Sequence, residues 1–232
     1  TDLPTTALAL QALTAAAGGS PFRMAAPAKA AGAMDPGVRA SVRAQARAEF
    51  QDVTRHPNRA AIEELASYGI INGMREGAFC PDETMTRAQF AKIVVCSLGL
   101  TPEYRGTFQD VPERAWYAEY VDTAAAYGIV NGVGGGQFDP SGLITRQAAA
   151  TMLVRAARLC GLSSALSPAE IAQTLSGCAD SGDISAYARQ SMAYCRKMAI
   201  VTGDRLEPLR PILRCEIAQM LYNMLLQTPL LK

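Results

Sequence analysis

The stretch "YGIVNGVGGGQFDPSGLITR", residues 127–146, decides how the chain is organised. Four of its five residues from Gly132 to Gly136 are glycine, a composition that can turn backbone N–H groups toward a phosphate. A phosphate loop follows a strand and carries Lys-Ser or Lys-Thr, and neither is present here. The preceding Val121, Ala124, Ala125 and Gly128 fall at i, i+3, i+4 and i+7, which reads as a helix. More informative is that the stretch occurs twice. "YGIING" at 68–73 matches "YGIVNG" at 127–132, and "GAFCPDETMTR" at 77–87 matches "GQFDPSGLITR" at 136–146, at a constant offset of 59 residues. Only the first and last of the five glycines recur, as Gly73 and Gly77, so the middle ones are local variation.

Working outward, "FQDV" at 50–53 returns at 108–111. A fainter third copy keeps the order: "CAD" at 178–180, "AIVTG" at 199–203, "LEP" at 206–208 and "ILRCE" at 212–216. The Pro-to-Arg spacing is shared by Pro81 and Arg87, Pro140 and Arg146, and Pro208 and Arg214. The expected organisation is a segment 1–48 followed by repeats at 49–106, 107–165 and 166–232, the last degenerate. Within each unit the apolar periodicity is helical: Ile62, Leu65 and Ala66 before the turn, and Phe90, Ile93, Val94 and Leu98 after the arginine, with Ile217, Met220, Leu221 and Leu225 matching the latter. Each unit therefore reads as helix, glycine-rich turn, short extended piece, helix. Such a pair cannot bury its stripes alone, so the expectation is an all-α fold of three units packed around a shared axis.

Composition narrows the function. Net charge is +1 over 232 residues, too little to hold nucleic acid or an anionic membrane surface by field alone. No apolar run is long enough for a membrane span, and no basic-then-apolar leader precedes Thr1, so the chain reads as a mature or excised piece. The six cysteines stand at 80, 96, 160, 178, 195 and 215, with no zinc-type pair spacing. They fall mostly in apolar slots of the repeat; a Cys178–Cys195 bridge is the alternative to free buried thiols. With one histidine, His56, and no nucleophile–base motif, catalysis is not expected, nor is a cofactor.

The motifs F-x-D-V, a Trp about six residues later, G-I-x-x-G, G-x-F-x-P and T-R-A-[EQ] resemble the S-layer homology family, over about 180 residues of this chain. The resemblance implies pseudo-threefold symmetry around a central helical bundle. It also implies inter-repeat grooves that bind a secondary cell wall polysaccharide, often pyruvylated, on the outside of a bacterium. A secreted, non-catalytic anchor for an upstream domain or cargo is the leading reading. The rival is a structural or protein-interaction module whose carbohydrate grooves have decayed.

The candidate site residues follow the repeat. Thr86 and Thr145 are natural N-caps, which puts Arg87 and Arg146 in a first helical turn where the macrodipole disfavours a cation; Arg214 is the third. A guanidinium there can take a carboxylate with two parallel hydrogen bonds, and a pyruvate ketal offers one. The alternative partners are the protein's own Asp52, Asp110 and Asp180. Those aspartates are themselves candidates, either as turn carboxylates or as acceptors for sugar hydroxyls. Trp116, the only tryptophan, suits either stacking on a sugar ring or a core; its counterparts are Pro57 and Tyr187. Gly73, Gly132 and Gly203 serve backbone geometry first and sugar contact second. Copy three has Ala199, Thr202 and Leu213 where Gly, Asn and Thr are usual, so the grooves are not expected to be equivalent. Trp116 and Arg146 are expected to be central.

Residues 1–48 match no repeat. "TDLPTTALALQAL" resembles the D-x-x-T-A-x-A-L-Q-A-L helix of terpene-cyclase-like α/α toroids, over residues 1–13. "GGSPFRMAAPAKAAGAM" reads as a linker, and Asp35-Pro36 as the start of a helix with Arg39, Arg43 and Arg47 on one face.

Overall fold

The structure, a computed structural model, describes residues 50–228; the readings made on residues 1–48 lie outside the described residues. The apolar stripes fold into α1 (Arg59–Ser67), α2 (Arg87–Ser97), α3 (Ala118–Ala126), α4 (Arg146–Leu159), α5 (Pro168–Leu175), α6 (Arg189–Lys197) and α7 (Arg214–Leu226). Among the described residues there is no strand, and the fold is all-α. Unit one supplies α1 and α2, unit two α3 and α4, and unit three α6 and α7. Thr86 accepts the Gln89 N–H while the Gln89 side chain accepts the Thr86 N–H, a reciprocal cap that starts α2 where expected. Thr145 accepts the Ala148 N–H at the start of α4. Helix α1 begins at Arg59 with Asn58 as its flanking residue, so Pro57 precedes the helix instead of filling its first turn.

Helix α5 has no counterpart in units one and two. Ser167 and Glu170 cap each other's backbone and Pro168 fills the first turn, so local chemistry alone specifies this start. It packs on α6.

The units close into a ring. The second helix of each packs on the first helix of the next: α2 on α3, α4 on α6, and α7 back on α1, while α4 also touches α2 and α7. The extended pieces before the second helices pair in the same sense. Thr86 bridges Leu143, Thr145 bridges Pro211, and Leu213 bridges Thr84, all antiparallel.

Each helix start is then finished by its neighbour. The first two amides of an α-helix lack intrahelical acceptors. Here Arg87 and Ala88 donate to the carbonyls of Gly142 and Pro140 (2.9 and 3.1 Å). Arg146 and Gln147 donate to those of Arg210 and Pro208 (both 3.0 Å), and Arg214 and Cys215 to those of Glu83 and Pro81 (both 2.9 Å). Inside the ring one apolar cluster runs through all three units, with Phe79, Phe90, Phe138, Ile62, Leu65 and Leu153 almost fully enclosed.

Candidate functional site

The aspartate and arginine of the repeat meet across each seam, although not as an ion pair. Asp110 accepts the N–H groups of Phe138 (2.8 Å) and Asp139 (2.7 Å) in its own unit. Arg87, from the preceding unit, donates its Nε to the carbonyl oxygen of the same Phe138 (2.8 Å). At the next seam Asp180 accepts from Leu206 and Glu207, and Arg146 Nε donates to the Leu206 carbonyl (2.8 Å). At the closing seam Asp52 accepts from Phe79 and Cys80, and Arg214 Nε donates to the Phe79 carbonyl (3.0 Å). The alternative raised from the sequence, arginine paired directly with these aspartates, gives way to a carboxylate and a guanidinium gripping opposite sides of one residue's backbone.

This grip explains a backbone feature. Cys80, Asp139 and Glu207, the residues after each gripped one, lie at φ of 58°, 60° and 46°, where side chains other than glycine are disfavoured. Two backbone N–H groups donating to each aspartate carboxylate hold them there. The N–H donors of Phe138, Asp139 and Asp110 itself, with the nearby Arg87 charge, outweigh desolvation and hold the Asp110 carboxyl below the usual aspartate range. Asp180 is depressed in the same way by its own donors and by Arg205.

The three guanidinium groups differ in what remains of them. Arg214 is 8% exposed, lies 4.5 Å from the centroid of the Phe79 ring, and gives a second bond, from Nη2, to the Asn72 carbonyl (2.7 Å). Arg146 is 9% exposed and its Nη1 is taken by Glu216, which also binds Arg210 Nη2 at 2.6 Å. Arg87 is half-buried over the Phe138 ring (4.8 Å), and among the described residues its two terminal nitrogens carry no hydrogen bond. Burial lowers the Arg87 pKa, opposed by Asp139, Tyr187 and Asp110.

Trp116 sits at the seam of Arg87, not that of Arg146. The residue is 56% exposed, which excludes the core alternative, and Lys92 Nζ of α2 lies 5.6 Å from its ring centroid. The same ammonium lies 5.4 Å from the Tyr120 ring, and Tyr117 packs edge-on against Trp116. Tyr187, 59% exposed, lies in the short helical turn Ala186–Ala188 that packs on α4. At the closing seam the matching place holds Pro57, and Asn58 there donates to Gln219 of α7 (3.1 Å). Units one and two thus bring to the first seam an accessible guanidinium and an exposed indole with an ammonium over its ring, while polar bonds between the units occupy the third.

The glycines answer to backbone geometry. A side chain at Gly132 (φ 74°) would meet the Gln137 carbonyl at 2.4 Å and Phe108 at 2.8 Å, and one at Gly73 would meet the Ala78 carbonyl at 2.7 Å. Gly203 needs its φ of 101° without such crowding. All six cysteines are free thiols, so the Cys178–Cys195 alternative is not adopted; burial pushes Cys195 up to about 12.

Sequence reasoning missed Lys92, the double role of Glu216, and the Asp122 clamp. Buried Asp122 accepts the N–H groups of Arg105 (2.7 Å), Gly106 (2.7 Å) and Thr107 (3.1 Å), fixing the segment that enters unit two. Spacing from Trp116 gave no clue to Lys92, because the two belong to different units. For Glu216, its place in the first turn of α7, where its carboxylate accepts the Leu213 N–H (2.9 Å), was a readable signal.

A ring of helical hairpins, each stitched to the next through an aspartate and an arginine at fixed places in the repeat, defines a closed helical repeat module. The family model of the S-layer homology domain matches residues 49–91 and 107–150, and these two repeats of the chain belong to that family. It is 32% identical over 180 residues to an amylopullulanase of Thermoanaerobacterium thermosulfurigenes, covering 76% of this chain and 9% of that protein. It is 30% identical over 164 residues to the surface-layer 125 kDa protein of Lysinibacillus sphaericus (68% and 13%). Against the surface layer protein of Brevibacillus choshinensis it is 33% identical over 116 residues (46% and 10%). The chain therefore spans a small fraction of these relatives, which include enzymes as well as surface-layer proteins. The shared part is the module that S-layer and cell-wall proteins have in common, and it places this chain at the bacterial cell surface.

Proposed function

We propose that the chain is a non-catalytic anchor that binds secondary cell wall polysaccharide, of the pyruvylated kind, and tethers the protein that carries it to the envelope. The observation that carries this reading is the first seam, where Arg87 keeps two unspent donors on a planar fork and Lys92 stands over half-exposed Trp116. A ketal carboxylate would take the fork bidentately and the sugar ring would lie on the indole. The grooves would be shaped by Asp52, Asp110 and Asp180 with Gly73, Gly132 and Gly203. Arg146 with Tyr187 would supply a second, weaker subsite, since Glu216 competes for the arginine. Arg214 would contribute least, its fork being spent on Phe79 and Asn72.

The test is pelleting of the purified chain with cell walls, before and after chemical removal of the wall polysaccharide. Binding is expected only before, and Trp116→Ala is expected to reduce it at least tenfold while the far-UV circular dichroism is unchanged. Equal binding to stripped walls would favour the second reading, a protein-interaction module, which the occupied third seam supports.

A further inference from the structure

We propose that His56, Asp82 and Cys215 form a Zn2+ site that clasps the third unit onto the first. Among the described residues these are the one group of three potential metal ligands, and their ligand atoms all lie within 4.8 Å of one another. They come from both sides of the closing seam. His56 and Asp82 belong to unit one, whereas Cys215 is the second residue of α7 and donates its N–H to the Pro81 carbonyl beside Asp82.

The other two seams serve as internal controls, because every position has a counterpart there. Where the closing seam has His56, Asp82 and Cys215, the first seam has Ala115, Ser141 and Ala88, and the second has Ala186, Leu209 and Gln147. Neither alternative set can hold a metal. The position of Cys215 does reach across a seam elsewhere: Gln147 bonds Ser185 through both ends of its amide, at 2.9 Å each. Three ligand-type residues have therefore gathered at the one seam whose two sides are far apart along the chain.

The donor set selects the ion. One imidazole nitrogen, one thiolate and one carboxylate suit Zn2+, with water as a fourth ligand, and do not suit Ca2+ or Mg2+, which take oxygen donors. Bond lengths of about 2.0–2.3 Å put tetrahedral ligand atoms roughly 3.3–3.8 Å apart, so the three must draw in by about an ångström. Asp82 is exposed in a turn and can swing inward, whereas His56 is half-buried and would move mainly by turning its ring away from Asn58. Binding displaces the Cys215 thiol proton to solvent. Because the thiol must give up its proton to bind, occupancy rises with pH. The His56 Nδ1 accepts the Asn58 N–H at 3.1 Å. Coordination through Nε2 moves the ring proton to Nδ1 and releases that amide.

The experiment uses the full, reduced chain titrated with Co2+ as the spectroscopic probe and then with Zn2+. A thiolate-to-metal absorption band that saturates at one equivalent and is displaced by Zn2+ is expected. Cys215→Ala should abolish the band, and His56→Gln and Asp82→Asn should each weaken Co2+ binding at least tenfold. Cys96→Ala should leave it unchanged. Zn2+ should raise the wild-type Tm by several degrees and shift the Asn58 amide resonance, with neither effect in His56→Gln. A missing band, a band that survives in Cys215→Ala, or a Tm rise equal in His56→Gln would overturn the proposal.

Discussion

Replacing each of the three repeat arginines by alanine should separate structural work from ligand binding. Arg214→Ala removes two charged-donor hydrogen bonds, to Phe79 and Asn72, from a side chain that is 8% exposed. Hydrogen bonds from charged groups contribute about 1.5–3 kcal/mol each, and water entering the gap recovers part, so the expected loss is about 2–4 kcal/mol. At roughly 2–4 °C per kcal/mol for a domain of this size, Tm should fall by about 5–15 °C. Arg146→Ala loses one carbonyl bond and the Glu216 pair, but Arg210 still holds Glu216, so about 2–3 kcal/mol is expected. Arg87→Ala loses a single carbonyl bond and part of a ring contact, about 1–2 kcal/mol. Urea unfolding followed by far-UV circular dichroism reads the order directly. Wall pelleting of the same variants, at a temperature where all are folded, should give the reverse order, with Arg87→Ala weakest by about tenfold or more. Equal stability losses at the three sites, or unchanged wall binding by Arg87→Ala, would refute this division of labour.

Ala199 sits at φ 52° where Gly69 and Gly128 stand in the other units. Ala199→Gly should raise stability by about 0.5–1 kcal/mol, the left-handed strain outweighing the added chain entropy, and a lower urea midpoint would contradict this. The converse, Gly128→Ala, should cost about 1 kcal/mol although its new methyl meets nothing within 4 Å. Asp122→Ala strips three amides of their acceptor, so Arg105, Gly106 and Thr107 should lose hydrogen-exchange protection first; protection equal to wild type would show that the loop is held elsewhere. The Asp110 and Asp180 carboxyls are depressed below their unfolded values, so their contribution is complete above about pH 4 and is lost as pH falls through the folded values. Acid titration of stability should therefore drop below pH 4, and Asp110→Asn should flatten the drop; an unchanged slope would assign it to other groups.

The helices were legible because the apolar stripes repeat in register, and Ile62, Leu65, Phe90 and Val94 all became core. Capping chemistry placed the starts of α2 and α4 to the residue. The sequence also showed that Arg87, Arg146 and Arg214 are unusual in a first helical turn, but it could not show why. Their acceptors are backbone carbonyls of the following unit, and a carbonyl has no residue signature. The same blindness paired Trp116 with Arg146, which shares its unit, when ring closure brings it to Lys92 of the unit before. Helix α5 escaped because a self-comparison cannot find an element that occurs once, even though Ser167, Pro168 and Glu170 announce it.

The hydrogen bonds at the helix starts also restrict how such a module can change its length. Each unit offers carbonyls to the one before and takes carbonyls from the one after, and α7 returns to Glu83 and Pro81 at the beginning. An open stack of repeats can gain or lose a member at modest cost, because its ends are capped against water. Here no unit is terminal. Removing any one would leave two amides and a guanidinium facing solvent on one side, and a gripped carbonyl without its arginine on the other. Duplication inside the chain would meet the same obstacle, so these helix starts are satisfied only in the closed set of three.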